Sequence, residues 1–181
     1  MKKLIILLGA IIMTAGDLFA LNKLDLKSIT SDDFSAKYVT GIIPITGTGD
    51  YAKISSDGKQ IQRYSFKSGK EIAVLFDVAR VAGEKIDKFD GYIPSPDGKY
   101  LLIRTNTQPI YRRSFKADFY VYQVKTRLLR HLSKTGKEQI PVWSPDSRHV
   151  AYVYENNIYV EDVTNPSSVK QVTFDGKFNF V

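Results

Sequence analysis

The sequence contains no cysteine. Disulfide bonds, thiol catalysis, cysteine-based metal sites and a lipoprotein anchor on an acylated cysteine are therefore excluded. There are only two histidines, His131 and His149, and no Gly-x-Ser-x-Gly motif, the setting of an α/β-hydrolase nucleophile. Two distant histidines and no acidic loop of calcium spacing predict no metal site. We expect no cofactor.

Long apolar runs are scarce, and the one that stands out covers residues 4–15, directly after a basic Met1-Lys2-Lys3 start. This run is too short for a bilayer span, which takes about 20 residues, and the pattern is typical of a secretory signal peptide. We predict a signal helix over residues 1–20, cleaved after Gly16 or Ala20, although neither site is a clean Ala-x-Ala. The alternative is an uncleaved membrane anchor. In both cases the rest of the chain is predicted to be exported to the bacterial periplasm or exterior, with no stable membrane span after cleavage.

The net charge is +7, and the basic residues are scattered, with the densest group at residues 127–131. Nucleic-acid binding favours a continuous basic face with interleaved aromatic residues, so we predict no nucleic-acid partner. The chain is 43% apolar, with 11 tyrosines and 10 phenylalanines. This composition is enough to bury a core in one ordinary domain.

The strongest local pattern is a tight turn that feeds an apolar run. It occurs at Ser95-Pro96-Asp97-Gly98 and again, 49 residues later, at Ser144-Pro145-Asp146-Ser147. Proline presets φ, aspartate bonds to the backbone downstream, and Gly98 accepts a positive φ. The apolar run after each turn predicts a buried strand, and the spacing suits one β-propeller blade per repeat.

The pattern along the chain predicts an all-β protein, a partial β-propeller of about three antiparallel meander blades near residues 38–76, 92–132 and 142–174. A short helix is predicted near residues 25–34, capped by Asp25 or Ser28. Residues 77–93 receive no full assignment. Residues 106–109 are predicted to be a polar link, and residues 165–168 a turn before a last strand at 169–174. Because propellers close with about four to eight blades, we expect a piece of a larger protein.

Several segments, in order, resemble the N-terminal β-propeller of the dipeptidyl peptidase IV family, in the prolyl oligopeptidase clan. They are residues 89–102, 111–122, 140–160 and 171–177. The resemblance implies an exported serine exopeptidase that releases N-terminal dipeptides with Pro or Ala in second position. It implies a peptide substrate held between a propeller and an α/β-hydrolase domain. Residues 21–37 would then be an opening segment that packs on a missing hydrolase domain, and residues 38–181 an incomplete propeller. The full-length protein would be a possible homodimer.

One functional position of the family falls within this chain. Tyr111-Arg112-Arg113-Ser114-Phe115 matches the family segment whose arginine points into the cavity and bonds a substrate carbonyl. The resemblance assigns that role to Arg112, with Arg113 as the second choice. A guanidinium suits the role because it is always charged and has several donors in a fixed fork. Glu138 or Asp118 are candidates to orient it. The alternative is that both arginines are surface cations at a blade edge.

The same resemblance places the catalytic triad, and an acidic pair that grips the substrate amino terminus, beyond Val181. His131 and His149 are predicted to be surface or blade-edge residues. The adjacent acids Glu161-Asp162 and Asp32-Asp33 are predicted to be solvated. We therefore predict a propeller fragment that gates and binds peptide substrate and is inactive alone. The alternative is a stand-alone exported β-repeat module that binds a protein or glycan without catalysis.

Overall fold

A computed structural model describes residues 25–32, 35, 41–133 and 136–178. The chain divides into two compact units, residues 1–39 and residues 40–181. The predicted signal peptide lies outside the described residues, and of the predicted opening segment only residues 25–32 and 35 are described. Among the described residues, no helix has the length and apolar character needed to cross a membrane.

The first unit contributes one described helix, α1 (Leu26–Thr30). Asp25 is its N-cap, and the carboxylate accepts a hydrogen bond from the backbone N–H of Ser28 at 2.6 Å. The Ser28 hydroxyl accepts in return from the backbone N–H of Asp25 at 3.1 Å. Both residues proposed as caps therefore act together in a capping box, which satisfies two N–H groups that have no partner within the helix.

The second unit is built from three β-sheets. The first is a four-stranded antiparallel meander in which each strand pairs with the next along the chain. Its strands are β1 (Ile43–Ile45), β2 (Asp50–Ile54), β3 (Gln60–Ser65) and β4 (Glu71–Asp77).

The second sheet has five strands, and four of them form an antiparallel meander. They are β6 (Gly91–Pro94), β7 (Tyr100–Pro109), β8 (Phe115–Gln123) and β9 (Leu128–His131). The fifth, β5 (Ala82–Gly83), pairs in parallel with β9 and follows a 3-10 turn at Val78–Arg80. Part of the unassigned stretch thus forms an edge strand. It was missed because two residues are too few to show a period-2 pattern.

The third sheet is again a four-stranded antiparallel meander. Its strands are β10 (Gln139–Trp143), β11 (His149–Tyr154), β12 (Asn157–Asp162) and β13 (Asn165–Gln171). The prediction of a turn at residues 165–168 is wrong, because β13 begins at Asn165. Asn165 pairs with Asp162 on β12. Because β13 is the outer strand of this sheet, it can hold Pro166, whose missing N–H costs no ladder bond at an outer edge.

The second sheet is buried on both faces, which explains its unbroken apolar runs. Leu101 and Ile103 belong to the core between the first and second sheets. Leu102, between them in sequence, belongs to the core between the second and third sheets, together with Trp143 and Val150. The prediction of an all-β fold of three antiparallel meanders is confirmed.

The structure shows three copies of the repeated turn, at residues 55–58, 95–98 and 144–147. In each, the serine hydroxyl donates to the aspartate carboxylate at 2.5–2.8 Å, and that carboxylate accepts the N–H two residues on at 3.0–3.1 Å. The serine oxygen also accepts the N–H five residues on at 2.9–3.0 Å. The first copy has Ser56 where the others have proline, so the serine and aspartate bonds define this turn.

Neighbouring turns are also joined to each other. Ser147 takes φ 61°, the left-handed position that Gly98 occupies with φ 69° in the preceding turn. Its buried hydroxyl accepts a hydrogen bond from the backbone N–H of Asp97 at 3.0 Å. A non-glycine residue in this conformation is strained, and the bond to the second sheet offsets that strain.

We expect Ser147→Ala to destabilise the chain by about 1–3 kcal/mol, because the Asp97 N–H loses its acceptor while the strain remains. Ser147→Gly loses the same bond but relieves the strain, so it should be about 1 kcal/mol more stable than the alanine variant. Urea unfolding measures both differences. An alanine variant as stable as the wild-type chain would contradict this role for the Ser147 hydroxyl.

Candidate functional site

The residue singled out by sequence, Arg112, lies at the end of the long β7–β8 hairpin. The prediction of a polar link at residues 106–109 is wrong, because β7 continues to Pro109, which pairs with Phe115. The register shifts between Thr105 and Gln108, and Asn106 takes φ 51°. Beyond this irregularity, β7 and β8 pair through their backbones but bury few side chains. The outer part of β7 therefore has no apolar pattern in the sequence that would predict a strand.

We call residues 110–114 the hairpin tip. The backbone N–H groups of Ile110 and Tyr111 donate to the carbonyl of Ser114 at 2.8 and 3.2 Å. Arg112 and Arg113 are both exposed, and the Tyr111 side chain beside them is 71% exposed. Neither arginine forms a hydrogen bond or ion pair with another described residue. Their guanidinium donors therefore point to solvent and are available to a ligand.

The two carboxylates proposed to orient Arg112 have other partners. Asp118 accepts hydrogen bonds from the Asn106 amide at 2.8 Å and from Lys137 Nζ at 3.3 Å. Glu138 is buried, and its Oε2 accepts from the backbone N–H of Phe119 at 3.2 Å. That hypothesis is wrong, because neither carboxylate bonds to Arg112 among the described residues, and both contact other groups along β8.

A second arginine, Arg104, lies at the base of the hairpin's outer half. Its Nη2 donates to the Asp90 carbonyl at 3.0 Å, and its Cζ lies 4.6 Å from the ring centroid of Phe115. The carboxylate of Asp90 accepts from the backbone N–H of Thr107 at 2.9 Å. Sequence reasoning missed Arg104. The available signal was Gly91, whose missing side chain leaves room for the guanidinium.

Residues 95–181, which include this hairpin, match the family model described as the dipeptidyl peptidase IV (DPP IV) N-terminal region. The crystal structure of Porphyromonas gingivalis dipeptidyl peptidase 4 is similar, with a TM-score of 0.77 and 35% sequence identity. The alignment covers 86% of this chain and 22% of the P. gingivalis chain. These matches support a fragment of a dipeptidyl peptidase IV N-terminal region. The predicted partial propeller is thereby confirmed.

Two curated dipeptidyl aminopeptidases are also similar to this chain. The "Probable dipeptidyl-aminopeptidase B" of Trichophyton verrucosum is 31% identical over 140 residues, 74% of this chain and 15% of the relative. The dipeptidyl aminopeptidase B of Saccharomyces cerevisiae is 35% identical over 82 residues, 45% of this chain and 10% of the relative. The chain therefore spans a small part of the length of these relatives.

Both histidines of the chain lie beside carboxylates. His131 Nε2 is 3.1 Å from Glu84 Oε2, and His149 Nδ1 is 3.9 Å from Asp146 Oδ1. Neither imidazole bonds to a serine hydroxyl in the part of the chain that the structure describes, so no catalytic pair of serine and histidine is found there. The described ranges also contain no cluster of three or more acidic or histidine side chains that could hold a metal ion.

The prediction that the adjacent acids are solvated is wrong for one of them. Glu161 is 1% exposed, and its Oε1 accepts from Arg130 Nη1 at 2.5 Å. Burial raises the pKa of Glu161, and the Arg130 guanidinium offsets only part of this rise. Glu161 was misassigned because its partner lies on a different sheet, which no local pattern reveals. Asp32 is exposed, and Asp33 lies outside the described residues.

Proposed function

We propose that this chain forms propeller blades of an exported dipeptidyl peptidase of the DPP IV type. Its role is to gate and bind peptide substrate for a hydrolase domain, while the chain contributes no catalytic nucleophile or base. The apolar leader at residues 4–15 supports export. The similarity to the P. gingivalis dipeptidyl peptidase 4 supports a dipeptidyl peptidase activity of the whole protein. We propose, from the family resemblance, that it releases N-terminal dipeptides with Pro or Ala in second position.

The observation that carries the proposal is Arg112 at the hairpin tip, which is exposed and has no partner among the described residues. A peptide backbone offers carbonyl acceptors but no charge, and a guanidinium is a strong donor to such a group. Arg112 keeps all five of its N–H donors free of contacts with other described residues. It can therefore bond a substrate carbonyl without first breaking an internal ion pair.

We expect Arg112→Ala to raise KM for glycyl-prolyl p-nitroanilide or a longer peptide about 10- to 100-fold. The lost bond to a charged donor is worth about 1.5–3 kcal/mol, and about 1.4 kcal/mol corresponds to a factor of ten. The assay uses the protein expressed from its complete coding sequence. Arg113→Ala is the matched control, with the same charge and position in the tip, and should change KM less than threefold.

Three results would overturn the proposal. One is a complete coding sequence that encodes no Gly-x-Ser-x-Gly motif. Another is turnover by residues 1–181 alone that a serine-directed inhibitor abolishes. The third is an unchanged KM in the Arg112→Ala protein, which would leave both arginines as surface cations.

A further inference from the structure

We infer that Arg104 is a positioning residue that fixes the hairpin tip, and with it Arg112, relative to the body of the second sheet. The inference rests on the proposed role of Arg112 and adds the residue that sets where Arg112 stands. Its basis is the set of contacts that Arg104, Asp90 and Phe115 make around Gly91, which we call the Arg104 clamp.

The first half of the clamp depends on the absence of a side chain. Arg104 of β7 pairs with Gly91 of β6, and its guanidinium lies across the glycine. A Cβ at position 91 would come 2.8 Å from Nη2 of Arg104, closer than real Cβ contacts allow, and 3.0 Å from its Cζ, a tight contact. From this place Nη2 reaches the Asp90 carbonyl at 3.0 Å.

The second half of the clamp holds both strands of the hairpin's outer part. The guanidinium packs on the ring of Phe115, the first residue of β8, which pairs with Pro109 at the end of β7. The Asp90 carboxylate accepts the N–H of Thr107 at 2.9 Å. The contact of Arg104 with the Phe115 ring therefore ties β8 to residues 90–91, and the hydrogen bond from Thr107 ties β7 to them.

The irregularity in the hairpin makes this support necessary. The register shift between Thr105 and Gln108 interrupts the regular ladder just below the tip, so the ladder alone does not set the direction of the outer part. Packing into an apolar core does not explain why an arginine occupies position 104. Its Nε is buried without an acceptor among the described residues. Such a group costs stability, which fits a residue kept for position.

Gly91→Ala tests the clamp with one methyl group. The atoms it meets are the far end of a flexible side chain, and Gly91 does not adopt a left-handed φ, so the guanidinium moves while the backbone stays. We expect amide hydrogen exchange of Ile110 and Tyr111 to become at least tenfold faster. Gly49→Ala is the matched control, since a Cβ there meets nothing within 4 Å, and should leave these rates unchanged.

A double variant separates positioning from general destabilisation. Arg104→Ala should accelerate the same two amides, and adding Gly91→Ala to it should have no further effect, because the methyl then meets no guanidinium. In the protein expressed from its complete coding sequence, Gly91→Ala should raise KM about tenfold with kcat within twofold. In an Arg112→Ala background the same change should leave KM unaltered.

The outcomes distinguish the clamp from the function of Arg112. Unchanged amide exchange in both Gly91→Ala and Arg104→Ala, or additive effects in the double variant, would overturn the clamp. Faster amide exchange in Gly91→Ala, together with a KM that Arg112→Ala leaves unchanged, would support the clamp and overturn the proposed function. Faster amide exchange, together with a KM that rises in Arg112→Ala but is unchanged in Gly91→Ala, would overturn the positioning role of Arg104.

Discussion

Arg130→Ala is expected to destabilise the chain by about 3–5 kcal/mol, the usual cost of leaving one charge of a buried pair without its partner. Glu161 is 1% exposed and receives its charged hydrogen bond from Arg130. The same guanidinium also donates to the carbonyls of His131 and Val163 at 3.0 and 3.2 Å. Because β9 and β12 belong to different sheets, the loss falls on the junction between the second and third sheets.

Urea unfolding followed by tryptophan fluorescence measures this effect, since the single tryptophan, Trp143, lies in the core between those sheets. Arg130→Ala with Glu161→Leu removes both charges and should recover most of the lost stability. Lys99→Ala is the matched control for an exposed pair, because the Lys99 side chain beside Asp97 is 76% exposed, and should cost less than about 1 kcal/mol. Equal effects of Arg130→Ala and Lys99→Ala would contradict the buried pair.

The second large effect concerns Glu138 and depends on pH. Burial raises the pKa of the Glu138 carboxyl to about 8 from an ordinary value of 4.5, and the nearby Asp118 carboxylate adds to the rise. The backbone N–H of Phe119 favours the charged form and opposes it. The carboxyl is therefore protonated at neutral pH in the folded chain, whereas it is ionised in the unfolded chain.

The direction of the effect follows from which state binds the proton. Below pH 4.5 both states are protonated, and Glu138 costs the fold nothing electrostatically. As the pH rises toward 8, the unfolded state gives up the proton first, so the free energy of unfolding falls by about 1.4 kcal/mol per pH unit. The total loss is on the order of 4 kcal/mol across this window.

Glu138→Gln removes the titration, because an amide stays neutral while keeping an oxygen for the Phe119 N–H. We expect the variant to match the wild-type chain within about 1 kcal/mol at pH 5 and to be clearly more stable at pH 8. Urea unfolding at half-unit pH steps measures the difference. Glu71→Gln, on the exposed start of β4, corrects for the change in net charge. A difference that does not grow with pH would exclude a protonated Glu138.

The sequence predicted those parts of the fold that are encoded within a few residues of each other. The two turns at Ser95 and Ser144 were found because proline presets φ while the serine and aspartate side chains bond to nearby backbone N–H groups. The third copy, at Ser55, was not recognised, since the proline that marks the other two is absent. The strands after the turns were predicted because burial leaves an apolar run, on both faces in β7 and at alternate residues in β11.

What the sequence did not predict depends on contacts between distant segments. Glu161 was expected in solvent because its partner, Arg130, lies on another sheet. The outer half of β7 was expected to be a link, because backbone pairing beyond the core requires no apolar residues. At the candidate site, Arg112 was singled out by resemblance alone, and the structure adds its position at an exposed hairpin tip. Arg104 escaped notice because its role depends on the empty space at Gly91.

The parallel pairing of β5 with β9 also has a consequence for the order of folding. Most strands in this chain pair with their neighbours in sequence, so each meander can form as soon as its residues leave the ribosome. Ala82 pairs with Leu128 instead, across the whole of the second meander. The connection between the first two sheets must therefore wait for β9 before it docks. Gly83 is required at that step, because a Cβ there would come 2.6 Å from the carbonyl oxygen of Leu129.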